Sequence, residues 1–169
     1  MINIIKEPIG NKQKILLIIC FLPLIIMIIA RINNYYIGYN LSSSINRTIF
    51  VYKKDNSYKP RRGDLIIFKV KENDPFFADK KFTKYVIALP NDNIKFQENS
   101  YKINDITTFT AKEFGKKGQK LDHFQLPNKN NIIPKDNYFT ASFHPDSYDS
   151  RYFGYVHQNQ IIGYVVTSI

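Results

Sequence analysis

Charged residues are absent from one stretch near the N-terminus and frequent elsewhere. Ile15 to Ala30 reads ILLIICFLPLIIMIIA, with no charged side chain. As a helix rising 1.5 Å per residue, this run is about 24 Å long, against about 30 Å of bilayer hydrocarbon. Ile32 and the polar flanks extend it, and local thinning or snorkelling covers a remaining shortfall. Pro23 is tolerated in a membrane helix better than in a soluble one. A cleaved signal peptide is the other reading. Against it, the run exceeds the usual apolar region, and Ile-Ile-Ala-Arg-Ile-Asn offers no good small-x-small cleavage site. The pattern predicts a retained anchor over residues 15–32. Lys6, Lys12 and Lys14 precede it and only Arg31 follows closely, so residues 1–14 are expected in the cytoplasm and residues 33–169 outside.

Beyond the anchor the apolar positions follow short, strand-like runs. Arg62-Gly-Asp-Leu-Ile-Ile-Phe-Lys-Val70 is a turn signal leading into a strand. Phe82 to Leu89 is a second run, stopped by Pro90-Asn91-Asp92-Asn93. Asn93 to Phe96, Tyr101 to Ile106 with an Asn-Asp turn, Tyr138 to Phe143 and Ile161 to Val166 are further candidates. No soluble helix, internal repeat or low-complexity tract stands out. Ala111 to Asn131 is polar and lysine-rich and reads as a surface excursion. The expected class is mainly β: antiparallel sheets sharing a buried face, behind one N-terminal transmembrane helix.

Composition sharpens this picture. The chain has 169 residues, a net charge of +10, 44% hydrophobic residues and one cysteine. It is too apolar for a disordered chain. A single cysteine excludes a disulfide framework and a cysteine-built zinc site. The lysines are scattered, Lys53–Lys54, Lys80–Lys81 and Lys116–Lys117 being isolated pairs, and no nucleic-acid-binding motif appears. A solvated basic surface is expected, with no nucleic acid as partner.

Three segments carry possible chemistry: Asn40 to Phe50 with Ser42-Ser43-Ser44, Thr83 to Asp92, and Ser142 to Gly154. A serine hydroxyl needs a neighbouring base to take its proton. Lysine serves only when neutral, so it must be brought well below its ordinary pKa of about 10.4. Burial away from a carboxylate does this. Lys84 shares a strand face with Val86 and Ala88, and no acid stands on that face. By composition and period alone, however, the favoured reading of Lys84 is a solvent-facing lysine guarding a strand edge, because lysine is rarely fully buried. The serine triplet reads as a polar turn, and Asp149 with Arg151 as an ordinary surface pair.

Taken together in order, the three segments resemble the boxes of type I signal peptidases, and in particular TraF-type conjugative-transfer peptidases. Those proteins carry one anchor, a serine box, an Arg-Gly-Asp strand, a lysine strand ending Leu-Pro-x-Asp, and an Asp-Ser-Arg-aromatic-Gly box. Here these are Ser44, Arg62-Gly63-Asp64, Lys84 with Leu89-Pro90-Asn91-Asp92, and Asp149 to Gly154. The resemblance spans most of residues 15–166. The His144-Pro145-Asp146-Ser147-Tyr148 lead-in is similar to the TraF variant. In the serine box, Asn40, Ser42, Ser44 and Phe50 fit, while Asn46 stands for the usual Pro and Thr48 for the usual Gly.

The resemblance implies Ser44 as nucleophile, with Ser43 as its rival, and Lys84 as general base. It implies Ser42 and the Ser44 N–H as oxyanion support, Ser147 as the partner of the lysine, and Asp149–Arg151 as a structural ion pair. It implies no cofactor and no metal. His123, His144 and His157 are the competing bases. The implied function is a membrane-anchored endopeptidase, in a bacterial inner membrane with its catalytic domain in the periplasm. Its substrates would be exported precursors cut after small residues, such as conjugative pilin, with release to water or by cyclisation, and conjugation or type IV secretion components as partners. A housekeeping signal peptidase and a catalytically inactive tethered scaffold are the alternatives. A LexA-like self-cleaving repressor is disfavoured by the anchor and by the lack of DNA-binding helices.

Overall fold

The computed structural model describes residues 10–40, 42–127 and 130–169. Lys6 and the start of the expected cytoplasmic segment, Leu41 of the serine box, and residues 128–129 lie outside these. The chain divides into two units between Tyr35 and Tyr36.

The first unit is built on one helix, α1 (Asn11–Ile32), with Pro23 inside it and no buried residue. It starts four positions before the uncharged run, because Lys12 and Lys14 are good helix formers and occupy its first turns. At 1.5 Å per residue, 22 residues span about 33 Å, of which the uncharged run supplies about 24 Å, with Lys12, Lys14 and Arg31 in the turns at its two ends. Asn33 closes the helix, its side chain donating to the Ile29 carbonyl at 2.8 Å.

The second unit is β. Its strands are β1 (Tyr35–Tyr39), β2 (Ile49–Lys54), β3 (Leu65–Lys69), β4 (Lys81–Ala88), β5 (Ile94–Gln97), β6 (Ser100–Ile103), β7 (Thr107–Thr110), β8 (Asn137–Ala141), β9 (Val156–His157) and β10 (Ile161–Ser168). Seven form a sheet in the order β1-β2-β10-β3-β4-β8-β9, and β5-β6-β7 form a second sheet. β10 runs antiparallel to β2 and β3, β3 to β4, β4 to β8, and β8 to β9. β5-β6-β7 is an antiparallel meander. Its two turns, of two residues (98–99) and three residues (104–106), place Glu98-Asn99 and Asn104-Asp105 at positive φ, the left-handed region that tight hairpins use. The expected Tyr101–Ile106 strand therefore ends at Ile103, where its Asn-Asp turn begins.

β4 separates two cores. Val86 packs with Ile66, Phe68 and Val156 on one side. Ile87 packs with Tyr101, Ile133 and Phe139 on the other. A strand covered on both faces offers no solvent to a side chain at its centre, which decides the setting of Lys84. Gly63, at φ +90, makes the turn before β3, and its N–H donates to the Val86 carbonyl at 2.7 Å.

The 111–131 segment is tied down more firmly than a surface excursion. Ala111 and Leu121 are buried in the second core. Tyr101 OH donates to the Phe124 carbonyl at 2.6 Å, and Phe124 N–H donates to the Arg151 carbonyl at 2.8 Å. One further turn of helix, α2 (Ser150–Phe153), is capped by the Asp149 carboxylate.

Candidate active site

The serine box is the loop joining β1 to β2, and one side chain organises it. Asn40 Oδ1 accepts from Ser42 N–H at 3.1 Å and from Ser42 Oγ at 2.9 Å. Asn40 Nδ2 donates to the carbonyls of Ser42 at 2.7 Å, Ile45 at 3.0 Å and Arg47 at 3.1 Å. The Asn40 backbone N–H reaches the Thr48 carbonyl at 2.9 Å and closes the loop. Ile45 is buried beneath it. Thr48 has negative φ and needs no glycine, and Asn46 is exposed, so neither departure from the resembling box strains the loop. Ser42 Oγ and Ser44 Oγ lie 2.7 Å apart. Ser44 is half-buried, whereas Ser43 is exposed.

Lys84 enters from the middle of β4, opposite Ile66 of β3. It is 4% exposed, which excludes the solvent-facing reading. Its ammonium donates to Ser147 Oγ at 2.8 Å and has no carboxylate within ion-pair distance among the described residues. Burial pulls its pKa down to about 8, the nearby Asp149 charge opposing and the Arg151 charge adding to the fall.

Ser147 is itself held by the next box. Asp149 and Arg151 are buried rather than on the surface, 0% and 3% exposed at their side chains. Arg151 Nε and Nη2 each meet the Asp149 carboxylate at 2.8 Å, a two-bond fork. The remaining guanidinium bonds go to the Thr110 carbonyl at 2.6 Å and the Ser147 carbonyl at 3.1 Å. Ser142 N–H donates to Asp149 Oδ2 at 3.1 Å. The pair thus fixes the β8–α2 loop from which Ser147 meets Lys84.

Ser42, Ser43, Ser44, Lys84 and Ser147 line one cleft of about 610 Å³. Ser44 Oγ is bonded within it to Ser42 Oγ rather than to Lys84 Nζ. No histidine lines the cleft. His123 faces the Lys112 carbonyl, while His144 and His157 accept backbone N–H bonds near their own positions. Among the described residues no cluster of histidine, cysteine and acidic side chains could hold a metal.

Two supports escaped the sequence reading. The first is the Asn40 clamp, although Asn40 itself fits the box. The second ties the Arg-Gly-Asp strand to the Leu-Pro-x-Asp turn. Arg62 donates to the Ile87 carbonyl and to Asp92 Oδ2, the latter at 2.7 Å, and the same Asp92 oxygen accepts from Leu89 N–H at 2.6 Å. Both boxes were visible in the sequence, but residues 30 apart carry no local sign that they meet.

Comparison with known proteins bears on this geometry. The chain is 29% identical over 116 residues to signal peptidase IB of Staphylococcus aureus strains Mu50 and N315, which covers 62% of this chain. It spans 58% of the length of those curated relatives. A crystal structure of a signal peptidase I from Enterococcus faecalis V583 aligns at 25% identity with a TM-score of 0.42, over 65% of this chain and 98% of that one. The family model described as signal peptidase, peptidase S26, matches residues 11–169. Since that match runs unbroken from the apolar helix through the serine loop and the lysine strand to the last strand, the chain belongs to the peptidase S26 signal peptidase family.

Proposed function

We propose that the protein is a membrane-anchored Ser-Lys endopeptidase that cuts signal-peptide-bearing precursors. The observation that carries this reading is Lys84, a buried lysine that has no carboxylate partner among the described residues, in the same cleft as a partly exposed serine. With its pKa near 8, a substantial fraction of Lys84 is neutral in mildly alkaline solution. Neutral Lys84 takes the Ser44 proton as Oγ attacks the scissile carbonyl. The hydroxyl of Ser42 and the Ser44 N–H stabilise the oxyanion. Lys84 then passes its proton to the leaving amine, and the acyl group remains on Ser44. Water or another amine attacks the acyl-enzyme, Lys84 taking the proton again. Ser147 orients the lysine, and Asp149 with Arg151 orients Ser147.

Lys12 and Lys14, in the first turns of the helix and ahead of its uncharged run, support an orientation with the N-terminus in the cytoplasm of a bacterial inner membrane and the catalytic unit in the periplasm. The His144 to Tyr148 lead-in favours the TraF type, with conjugative pilin as substrate, transfer-system components as partners, and cyclisation available through the pilin's own amine. A housekeeping role is the second reading, favoured because the relatives from Staphylococcus aureus are named signal peptidase IB.

Co-expression with a pilin precursor and, separately, with an ordinary secreted precursor tests this, the products being weighed by mass spectrometry. A pilin cut after small residues is expected, and a product lighter by one water identifies cyclisation. Cutting of the secreted precursor alone favours the housekeeping role. Both precursors left intact contradict the enzyme and favour a tethered scaffold.

A further inference from the structure

The cleft does not end at Ser147. A trough of about 490 Å³ continues from it, and Phe77, Lys116, Asp146, Ser147 and Tyr148 line both. One wall is the loop before β4, where the Asp74 carboxylate accepts from the N–H groups of Phe76 at 2.9 Å and Phe77 at 2.7 Å. Its other oxygen accepts from Tyr148 OH at 3.0 Å, which ties that wall to the trough floor. The opposite wall is a tight hairpin between Phe114 and Lys120, turned at Gly118 and rooted in the core by Leu121. Both walls are therefore built, held by hydrogen bonds that do not require an occupant.

The character of the trough is specific. Phe76, Phe77 and Phe114 are 43%, 37% and 58% exposed, a large apolar area to leave in water. Around it stand Lys112, Lys116 and Lys117. Lys112 and Lys116 share a single carboxylate, Asp146, at 2.5 and 3.4 Å, and Lys117 makes no ion pair among the described residues. Among the side chains that line the trough, three ammonium groups stand against one carboxylate, while the Asp74 carboxylate lies behind the phenylalanine wall with its oxygens taken by the Phe76 and Phe77 N–H groups and Tyr148 OH, so the open rim above the aromatic floor is positive. A hydrophobic side chain next to acidic residues fits both features.

We infer that this trough is a second substrate subsite, which takes a segment of the precursor adjoining the scissile bond and selects an aromatic or aliphatic residue beside acidic ones. This rests on the reading of the adjacent cleft as the place of cutting, because continuity with that cleft makes the substrate the occupant. The subsite would restrict cleavage to precursors that carry this flank in addition to small residues at the cut. The lysine-rich hairpin of residues 113–121 then has a role in selection.

The test measures binding, so it does not depend on turnover. Full-length Ser44→Ala protein in mild detergent is titrated with fluorescein-labelled peptides containing Ala-Ser-Ala, and anisotropy is read. The flank is Phe-Asp-Glu in one set and Phe-Lys-Lys in the other, placed before the cut in some peptides and after it in others. On one side of the cut the acidic flank should bind about tenfold more tightly than the basic one. A Lys116→Glu/Lys117→Glu variant should reverse that ratio, and Phe114→Ser should weaken peptides with Phe relative to ones with Ser in its place. Equal affinities on both sides, a ratio unchanged by the double variant, or no measurable binding overturns the inference. Cleavage by wild-type protein and its loss in Ser44→Ala are scored separately, so failure of the subsite and failure of the enzyme are told apart.

Discussion

Lys84→Met should make the protein more stable at neutral pH. The native lysine is 4% exposed, and its pKa lies near 8 instead of its ordinary 10.5. Below pH 8 the folded and unfolded states both hold the proton, and the folded state bears the full cost of a buried ammonium. At 1.36 kcal/mol per pH unit, that cost is roughly 3 kcal/mol. Between pH 8 and 10.5 the unfolded state keeps a proton that the folded state has lost, so stability rises with pH there. Above that window the cost is gone. Methionine fills similar volume without charge but forfeits the bond to Ser147, worth about 1 kcal/mol. The variant should therefore gain about 2 kcal/mol at pH 7, the gain falling to zero near pH 10 and turning into a loss of about 1 kcal/mol at higher pH, where only the missing Ser147 bond counts. Urea unfolding of the full-length protein in mild detergent, at a series of pH values, reads this out. Other titrating groups act alike on both proteins, so the difference between the two curves isolates Lys84. Parallel curves, or a variant less stable than wild type at pH 7, would refute the reasoning.

Activity should follow the same group: kcat/KM on a precursor peptide is expected to rise with pH through about 8, and Lys84→Arg should be inactive because a guanidinium keeps its proton. Arg151→Ala leaves the Asp149 carboxylate buried without its partner and should lower stability by about 3–5 kcal/mol, seen as a fall in Tm. Asn40→Ala removes the bonds that shape the serine loop and should lower kcat more than it raises KM in steady-state assays. Asn40→Asp, which keeps the acceptor for Ser42, should fall between that variant and wild type.

The elements legible in the sequence were those with strong local pattern. The apolar helix α1, β3, β4 and β10 announced themselves by apolar runs, and the meander turn by Asn104-Asp105. β1 and β2 were missed because Tyr35 to Tyr39 and Ile49 to Lys54 flank a polar loop and lack clean alternation. β7 was missed because Thr107 to Thr110 holds one apolar residue, Phe109. For Lys84, the period put Val86 and Ala88 on its face but could not tell a buried face from an exposed one. That depends on β3 and β8 closing over β4 and on cores forming at both of its faces. Asp149 and Arg151 read as a surface pair because no local feature shows that the β8–α2 loop turns inward. The serine, lysine and Asp-Ser-Arg boxes were nameable only by resemblance. The meeting of the serine box, Lys84 and Ser147 in one cleft is a property of the sheet order, which places the β1–β2 loop, β4 and the loop after β8 around a common space.

Cleavage of a precursor by wild-type protein and by Ser44→Ala, Ser43→Ala and Lys84→Ala variants tests the central claim most directly. All four are expressed in membranes at matched levels, and the product is read by mass. The Ser44–Lys84 account predicts a cut product for wild type and Ser43→Ala, and none for Ser44→Ala or Lys84→Ala. A cut product from Ser44→Ala, or from Lys84→Ala, would contradict it.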